Sequence, residues 1–372
     1  MPLSNEDKLR LNVLSAQPVK AIRINESRLL LTALTDKGEA RINLCPNERH
    51  EAYLREVRSF LSETYLGMPG GYPRHLGRWT RMGDNQNSMD KMLLLGEPDA
   101  IVALARCSDI SAEHAAYAWW ALQSSEIARS LLKSSNVVNS PLGPELAQFL
   151  LEFLPFEEQA MDVVDGVALC LQGELISEQN KRALWERAKR KNSYYVGFML
   201  AGPQSIPSTE SAHPEYEAII SSLSDEFSTL NPYAQIYIHL LSSDGQKWLK
   251  SLQQALKKPT EPNVVIAIFI AIDQYIDLSI GAHRGVRTIE YALSTTDEIC
   301  SHENAPEQLR KIQEILCASQ LKQFKAVLTL SQLGENTLND IFGGRDASGT
   351  VMRKHLKPLI SQINILIDTL LR

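Results

Sequence analysis

The order of apolar and polar residues changes twice near the N-terminus of the chain. Residues 4–15, SNEDKLRLNVLS, have the spacing of a short amphipathic helix, with Ser4 as its expected N-cap and acidic residues in the first turn. From Ala21 the pattern alternates through β-branched and apolar residues around the turn TDKGE. This alternation predicts two or three short antiparallel strands. Helical spacing returns after Pro46, so we expect the β element to lie within residues 20–45.

From about residue 84 onward, short helical patterns alternate with turns, and some of them recur. DAIVALARC, from Asp99, and DVVDGVALC, from Asp162, carry an acid, an alanine and a cysteine at the same offsets. A helical pattern follows each stretch and places Trp119 and Trp185 in register, roughly 65 residues apart, which is about two helix pairs of a HEAT-type repeat. The sequence therefore predicts a mostly α fold, an irregular helical-repeat (HEAT-like) array with a small N-terminal antiparallel β element.

Composition shifts along the chain suggest where it divides. The segment AGPQSIPSTESAHPEYE contains three prolines and few apolar residues, so we interpret it as a linker. The predicted regions are a small α+β element at 1–69, a helical-repeat region at 70–200, the linker at 201–217 and a helical region at 218–372.

The overall composition is that of a soluble globular protein, with 44% hydrophobic and 22% charged residues. A formal net charge of -6 argues against a surface built to coat nucleic acid or anionic lipid, although it allows a local basic patch. The N-terminal sequence predicts no secretory signal, and the longest apolar run, Val264 to Ile272, is too short to span a bilayer. The five cysteines are scattered without a C-x-x-C pair, so we expect a cytoplasmic protein.

Motifs for catalysis and for metal binding are weak in this sequence. The eight histidines never form H-x-x-x-H, no G-x-S-x-G elbow is present, and GGRDASGT lacks the lysine of a phosphate-binding loop. Glu158, Asp162 and Asp165 share one helical face opposite an apolar stripe, which is typical of a solvated face. We therefore expect no enzymatic activity, no metal and no organic cofactor.

The stretch GGYPRHLGRWTRMG, from Gly70 to Gly83, combines glycines with arginines and aromatic residues. It would present its basic and aromatic side chains from a loop and not from a helix. Arginine forks near tryptophan suit a protein partner, a phosphate or nucleic acid, or the chain's own carboxylates. The candidate binding residues here are Arg74, His75, Arg78, Trp79 and Arg81.

A second candidate is the basic stretch KRALWERAKRKNSYY, which begins at Lys181. Cations beside aromatic rings are what a groove for single-stranded nucleic acid requires. The alternative is that these cations pair with the acidic stripe of the preceding helix while Trp185 and the tyrosines belong to the core. The candidate binding residues are Arg187, Lys189, Arg190 and Lys191.

Three stretches resemble the DsrS family: residues 10–31, the loop GGYPRHLGRWTRMG, and GEPDAIVALARC together with AEHAAYAWWAL. These are soluble proteins encoded alongside the reverse dissimilatory sulfite reductase system of sulfur-oxidising bacteria, and the likeness covers mainly residues 10–135. The resemblance implies a cytoplasmic accessory or regulatory protein of sulfur oxidation without an established enzymatic activity. It carries no catalytic residues over to this chain.

The leading functional hypothesis is therefore a non-enzymatic protein that binds a protein partner through a helical-repeat surface. An RNA-binding post-transcriptional regulator is the first alternative, and an enzyme of unknown reaction is the second. We expect no association with a membrane.

Overall fold

The computed structural model describes residues 3–67, 86–223, 230–259, 261–278, 288–301, 305–342 and 349–371. Over these residues the protein is mostly α-helical, with one small antiparallel sheet near the N-terminus. The predicted fold class is confirmed at this level. Within the described ranges, no helix combines the length and the apolar content needed to cross a bilayer.

The first compact unit, Met1–Phe153, contains the sheet. Its elements are α1 (Asn5–Ser15), β1 (Val19–Asn25), β2 (Leu30–Thr35), β3 (Gly38–Asn43), α2 (His50–Leu66), α3 (Gln86–Leu93), α4 (Pro98–Ala105), α5 (Ala112–Ala121), α6 (Ser125–Leu131), α7 (Ser135–Val138) and α8 (Leu142–Phe153).

The second compact unit, Leu154–Arg372, is helical wherever it is described. Its α-helices are α9 (Ala160–Cys170), α10 (Glu178–Ala188), α11 (Asn192–Ala201), α12 (Tyr216–Ser222), α13 (Pro232–Leu241), α14 (Ser243–Lys257), α15 (Pro262–Tyr275), α16 (Ile289–Ile299), α17 (Glu307–Ile315), α18 (Ala318–Leu330), α19 (Asn339–Phe342) and α20 (Gly349–Leu370). Short 3-10 turns lie at Leu154–Phe156, Pro203–Ser205 and Glu335–Leu338.

The sheet follows the predicted alternation closely. Strand order is β1-β2-β3, and each neighbouring pair is antiparallel. Because side chains alternate across a strand, Ile22 of β1 and Leu31 of β2 face the core with residues of α1 and α2. The opposite face carries Arg23, Thr32 and Arg41 in register across the three strands. One face of the sheet therefore belongs to the core, and the other, which we call the polar face, carries these three polar side chains.

Helix α1 is held in place by a buried acid. The predicted N-cap, Ser4, accepts a hydrogen bond from the backbone N–H of Asp7, as expected. The fully buried Asp7 carboxylate accepts hydrogen bonds from the Tyr53 hydroxyl, at 2.5 Å, and from the backbone N–H of Cys45, at 2.7 Å. These bonds join α1 to α2 and to the chain that follows β3.

Helix α11 lies at the centre of the second unit and contacts α9, α10, α14 and α15. Its closest approach is to α9, where a Cβ built on Gly197 would lie 2.6 Å from Cβ of Val167 and 2.9 Å from the carbonyl oxygen of Val164. Only a glycine allows the two helices to come this close without displacement. The apolar run of α15 is buried against the same core, as its composition predicts.

The two compact units meet in sequence at Phe153 and Leu154. The predicted divisions at 69/70 and 200/201 do not coincide with this one. The predicted linker, 201–217, lies inside the second unit, where the backbone N–H of His213 donates to the carbonyl oxygen of Leu241 at 2.8 Å. Helix α11, before this segment, and helix α14, after it, contact each other.

Candidate functional site

The loop candidates cannot be placed in the fold. Arg74, His75, Arg78, Trp79 and Arg81 all lie outside the described residues. The three interpretations of Gly70 to Gly83 stay predictions.

The second candidate group lies at the C-terminal end of α10. Ser177 caps the start of this helix by accepting the backbone N–H of Asn180, and the helix ends at Ala188. Arg187, in the last turn, is exposed, and so are Lys189, Arg190 and Lys191, which follow it. The structure therefore brings all four predicted residues together at one exposed turn.

The contacts of Lys189 and Lys191 in this turn are not ion pairs with the acidic stripe of the preceding helix, which was the predicted alternative. Lys189 pairs with Glu186 of its own helix at 2.6 Å, and Lys191 donates to the backbone carbonyl of Glu157 at 3.4 Å. Arg187 and Arg190 form no ion pair with any residue that the structure describes. Two guanidinium groups are thus left facing solvent without a carboxylate from the described part of the chain.

The neighbouring aromatic rings are used internally. Tyr194 is 3% exposed, and the half-buried Trp185 makes edge-on contacts with Tyr195 and Phe198, with ring centroids 5.1 and 5.0 Å apart. Burial raises the pKa of the Tyr195 hydroxyl. The prediction that these rings belong to the core describes them better than the prediction of a base-stacking groove.

Two more basic segments are linked to this turn, the first by a contact with Asn192 and the second through the first. Asn192, which follows Lys191, donates from its side-chain amide to the carbonyl oxygen of Ala255 at 2.8 Å, close to the exposed Lys257 and Lys258. Arg353 of α20 donates to the carbonyl oxygen of Pro259 at 3.4 Å. We call the resulting set the basic surface: Arg187, Lys189, Arg190, Lys191, Lys257, Lys258 and Arg353.

Helix geometry alone explains part of this surface. Cations in the last turn of a helix are stabilised by the carbonyl end of the helix dipole, and Arg187 and Lys257 occupy such positions. The remaining cations lie beyond the helix ends or on α20, where this local effect does not require them. Sequence analysis missed Lys257, Lys258 and Arg353 because nothing in the sequence shows that Asn192 meets Ala255 or that Arg353 meets Pro259.

A second group of cations, also missed, lies on the polar face of the sheet. Arg23, Arg28 and Arg41 line a cleft of about 390 Å³ together with Asn25, Thr32 and Ala121. Arg23 and Arg41 flank Thr32 in the strand register, and Arg28 lies in the turn between β1 and β2. We call this site the arginine cleft. The alternation of β1 and β3 could have shown that their arginines share a face, but only the register places them side by side.

One carboxylate organises the arginine cleft. Glu39 accepts hydrogen bonds from Arg23 at 3.0 Å, from Arg41 at 3.0 Å and from the indole N–H of Trp120 at 2.9 Å. The Arg23 guanidinium also lies over the Trp120 ring, 4.4 Å from the centroid. The hydrogen bond from Arg41, followed by that from Trp120, holds the pKa of Glu39 below its usual range. The cleft is therefore built from charged groups in a fixed arrangement.

A serine, a histidine and an aspartate also meet in the first unit. The His114 ring lies 2.6 Å from the Ser111 hydroxyl through Nδ1 and 2.6 Å from the Asp90 carboxylate through Nε2. The Ser111 oxygen also accepts the backbone N–H of His114, because Ser111 is the N-cap of α5. Ser111 therefore serves as a helix cap, and the His114 ring links it to Asp90.

Other chemistry finds little support in the described part of the chain. No group of three or more His, Cys, Asp or Glu side chains there could hold a metal ion. The buried Cys170 thiol has its pKa raised to about 12 by burial, which keeps it in the unreactive protonated form.

Comparison of the chain with protein-family models, with curated proteins and with solved structures finds no match in any of the three. The candidate sites are therefore interpreted from their own geometry and charge.

Proposed function

We propose that this chain is a non-enzymatic accessory or regulatory protein that binds an acidic protein partner through the basic surface. The observation that carries the proposal is the exposed turn after α10, where Arg187 and Arg190 have no carboxylate partner among the described residues. Cations of this kind attract an oppositely charged surface and accelerate association with it.

The state of the aromatic rings favours protein over RNA. Binding of single-stranded nucleic acid draws on bases stacked on exposed rings as well as on phosphate contacts. Here Tyr194 is buried, and Trp185 and Tyr195 are in edge-on contact with each other. Carboxylates of a protein partner need only the guanidinium and ammonium groups, and arginine can bind them in bidentate fashion.

Two further parts of the proposal rest on sequence. The matched stretches at Asp99 and Asp162, each followed by a serine-capped helix, support a HEAT-like helical array that displays the basic surface. The resemblance to the DsrS family supports a cytoplasmic role in dissimilatory sulfur oxidation. On this proposal the partner belongs to, or acts with, the reverse dissimilatory sulfite reductase system.

The test is affinity capture from sulfur-grown cells with the full chain and with the double variant Arg187→Glu/Arg190→Glu, each with and without RNase. Proteins of the sulfite reductase system should be captured by the wild type regardless of RNase. For the partner so identified, the double variant should bind at least about tenfold more weakly, and added salt should reduce the difference.

The matched control is Lys311→Glu/Lys322→Glu, which makes the same change of charge on exposed residues of α17 and α18 in the same unit. It should capture the partner like the wild type. Equal losses in the two double variants would reject the basic surface as the binding site. The RNA-binding alternative would be favoured instead if RNase treatment removed all captured proteins and if Arg187→Glu/Arg190→Glu bound less RNA than the wild type.

A further inference from the structure

The arginine cleft carries more positive than negative charge, and none of its residues belongs to the basic surface. Three guanidinium groups, from Arg23, Arg28 and Arg41, line the cleft, and one carboxylate, Glu39, bonds two of them. Arg28 makes no ion pair with a described residue, and the two other acids of the sheet and its turns pair elsewhere, Glu26 with Arg58 of α2 and Asp36 with Lys20. Counting these groups gives three positive charges and one negative charge, so two positive charges are uncompensated.

Two of the three arginine side chains, Arg23 and Arg41, are held in place before any ligand arrives. Glu39 holds Arg23 and Arg41 from one side, and the Trp120 ring supports Arg23. The turn that carries Arg28 is shaped by Asn25, whose side-chain oxygen accepts the backbone N–H of Arg28 at 3.0 Å and the Ser27 hydroxyl at 2.9 Å. Arg23 and Arg41 therefore lose less conformational entropy on binding an anion than free side chains would, while for Arg28 only the backbone of the turn is fixed.

The cleft is larger than an inorganic ion requires. Its volume of about 390 Å³ is within the range of sites for small organic ligands. Leu30 and Ala121 also line the cleft and add apolar surface beside the arginines. The site therefore offers a charged end and an apolar end to the same ligand.

We propose that the arginine cleft binds a small organic phosphate monoester. A phosphate monoester carries between about -1.5 and -2 charges at pH 7, which matches the two uncompensated positive charges, and its oxygens suit the forks of arginine. The organic group lies against the apolar surface. The cleft shares no residue with the basic surface, and each belongs to a different compact unit of the chain.

The test measures binding of phenyl phosphate, phenyl sulfate and succinate to the full chain by calorimetry, with the Trp120 indole N–H resonance as the local reporter. Phenyl sulfate has nearly the same shape with one negative charge, and succinate has two charges without a tetrahedral group. We expect saturable binding of phenyl phosphate with a shift of the Trp120 resonance, and binding of each of the other two roughly tenfold weaker or more.

Arg28→Gln should weaken phenyl phosphate binding about tenfold or more, because Arg28 contributes charge to the cleft without being part of the Glu39 network. Its unchanged Trp120 resonance in the absence of ligand would show that the sheet is intact. The control is Arg55→Gln, an exposed arginine of α2 that does not line the cleft. Absence of saturable binding, equal affinity for phenyl sulfate, tighter binding of succinate, or equal losses in both variants would overturn the proposal.

Discussion

The two compact units present positive charge in different ways. In the first unit, strand register and a single carboxylate place arginines around a cleft that has two more positive than negative charges. In the second, helix ends and turns from distant parts of the sequence contribute exposed cations, of which Arg187 and Arg190 have no carboxylate partner among the described residues. The first arrangement suits a small ligand of defined charge. The second suits a broad partner surface, whose attraction depends on salt.

The two units nevertheless contain two similar helices. Helix α5 in the first unit and α10 in the second both begin after a serine N-cap, and each carries a tryptophan eight residues beyond that cap. Trp119 donates its indole N–H to Glu145 at 2.7 Å, whereas Trp185 contacts the rings of Tyr195 and Phe198. The same local pattern therefore supports different surroundings in the two units.

The largest expected effect concerns the close contact between α9 and α11, in the unit that carries the basic surface. Gly197→Ala should lower the free energy of unfolding by about 1–3 kcal/mol, because the added methyl group overlaps Val167 and the carbonyl of Val164. Chemical denaturation measures the change, and labelling of the buried Cys170 should become faster as α9 loosens.

A helix-interior glycine without such a neighbour would respond in the opposite direction, since alanine favours the helix by up to about 1 kcal/mol. An increase in stability in Gly197→Ala would therefore contradict the close packing of α9 and α11. The indole resonance of Trp120, in the first unit, serves as an internal control and should be unchanged while the protein is folded.

A smaller effect should separate the two matched tryptophans. Trp119→Phe and Trp185→Phe remove the same ring volume, but only the first removes a hydrogen bond to a carboxylate. We expect Trp119→Phe to cost roughly 1 kcal/mol more than Trp185→Phe in the free energy of unfolding. Equal costs measured by thermal and chemical denaturation would contradict the expected contribution of the Glu145 contact.

The smallest effect concerns the carboxylate of the arginine cleft. Because Arg41, Trp120 and Arg23 favour its ionised form, Glu39 should titrate below its ordinary value of 4.5. Its contribution to stability is present above the pKa of the unfolded chain and is lost as pH falls through the folded pKa. The Trp120 indole N–H resonance reports this titration directly, because that group donates to Glu39.

A midpoint of the Trp120 shift at or above 4.5 would contradict the proposed network, and Glu39→Gln should abolish the titration. The same variant leaves Arg23 and Arg41 without their shared acceptor. Its effect on phenyl phosphate binding would show whether the carboxylate contributes more by positioning the arginines than it costs by neutralising them.

Much of the local structure was predictable from sequence because it depends on neighbouring residues. The strands between Ala21 and Asn43 alternate at a period of two, and Ser4, Ser111 and Ser177 precede helical patterns as N-caps. The turn at Arg187 to Lys191 was also recognisable as an exposed cation cluster. For Trp185 the sequence left two predictions open, a position in the core and a position in a groove for nucleic acid.

By itself, the sequence determined the helix and strand periods, the caps and the local charge of each segment, since these follow from residues a few positions apart. Only the tertiary structure decided which distant segments meet. The register of three strands places Arg23 beside Thr32 and Arg41, and the contact between Asn192 and Ala255 brings residues 257–258 towards Arg187. These placements depend on how the faces of whole elements pack together. The local patterns of a single sequence do not show which face packs against which.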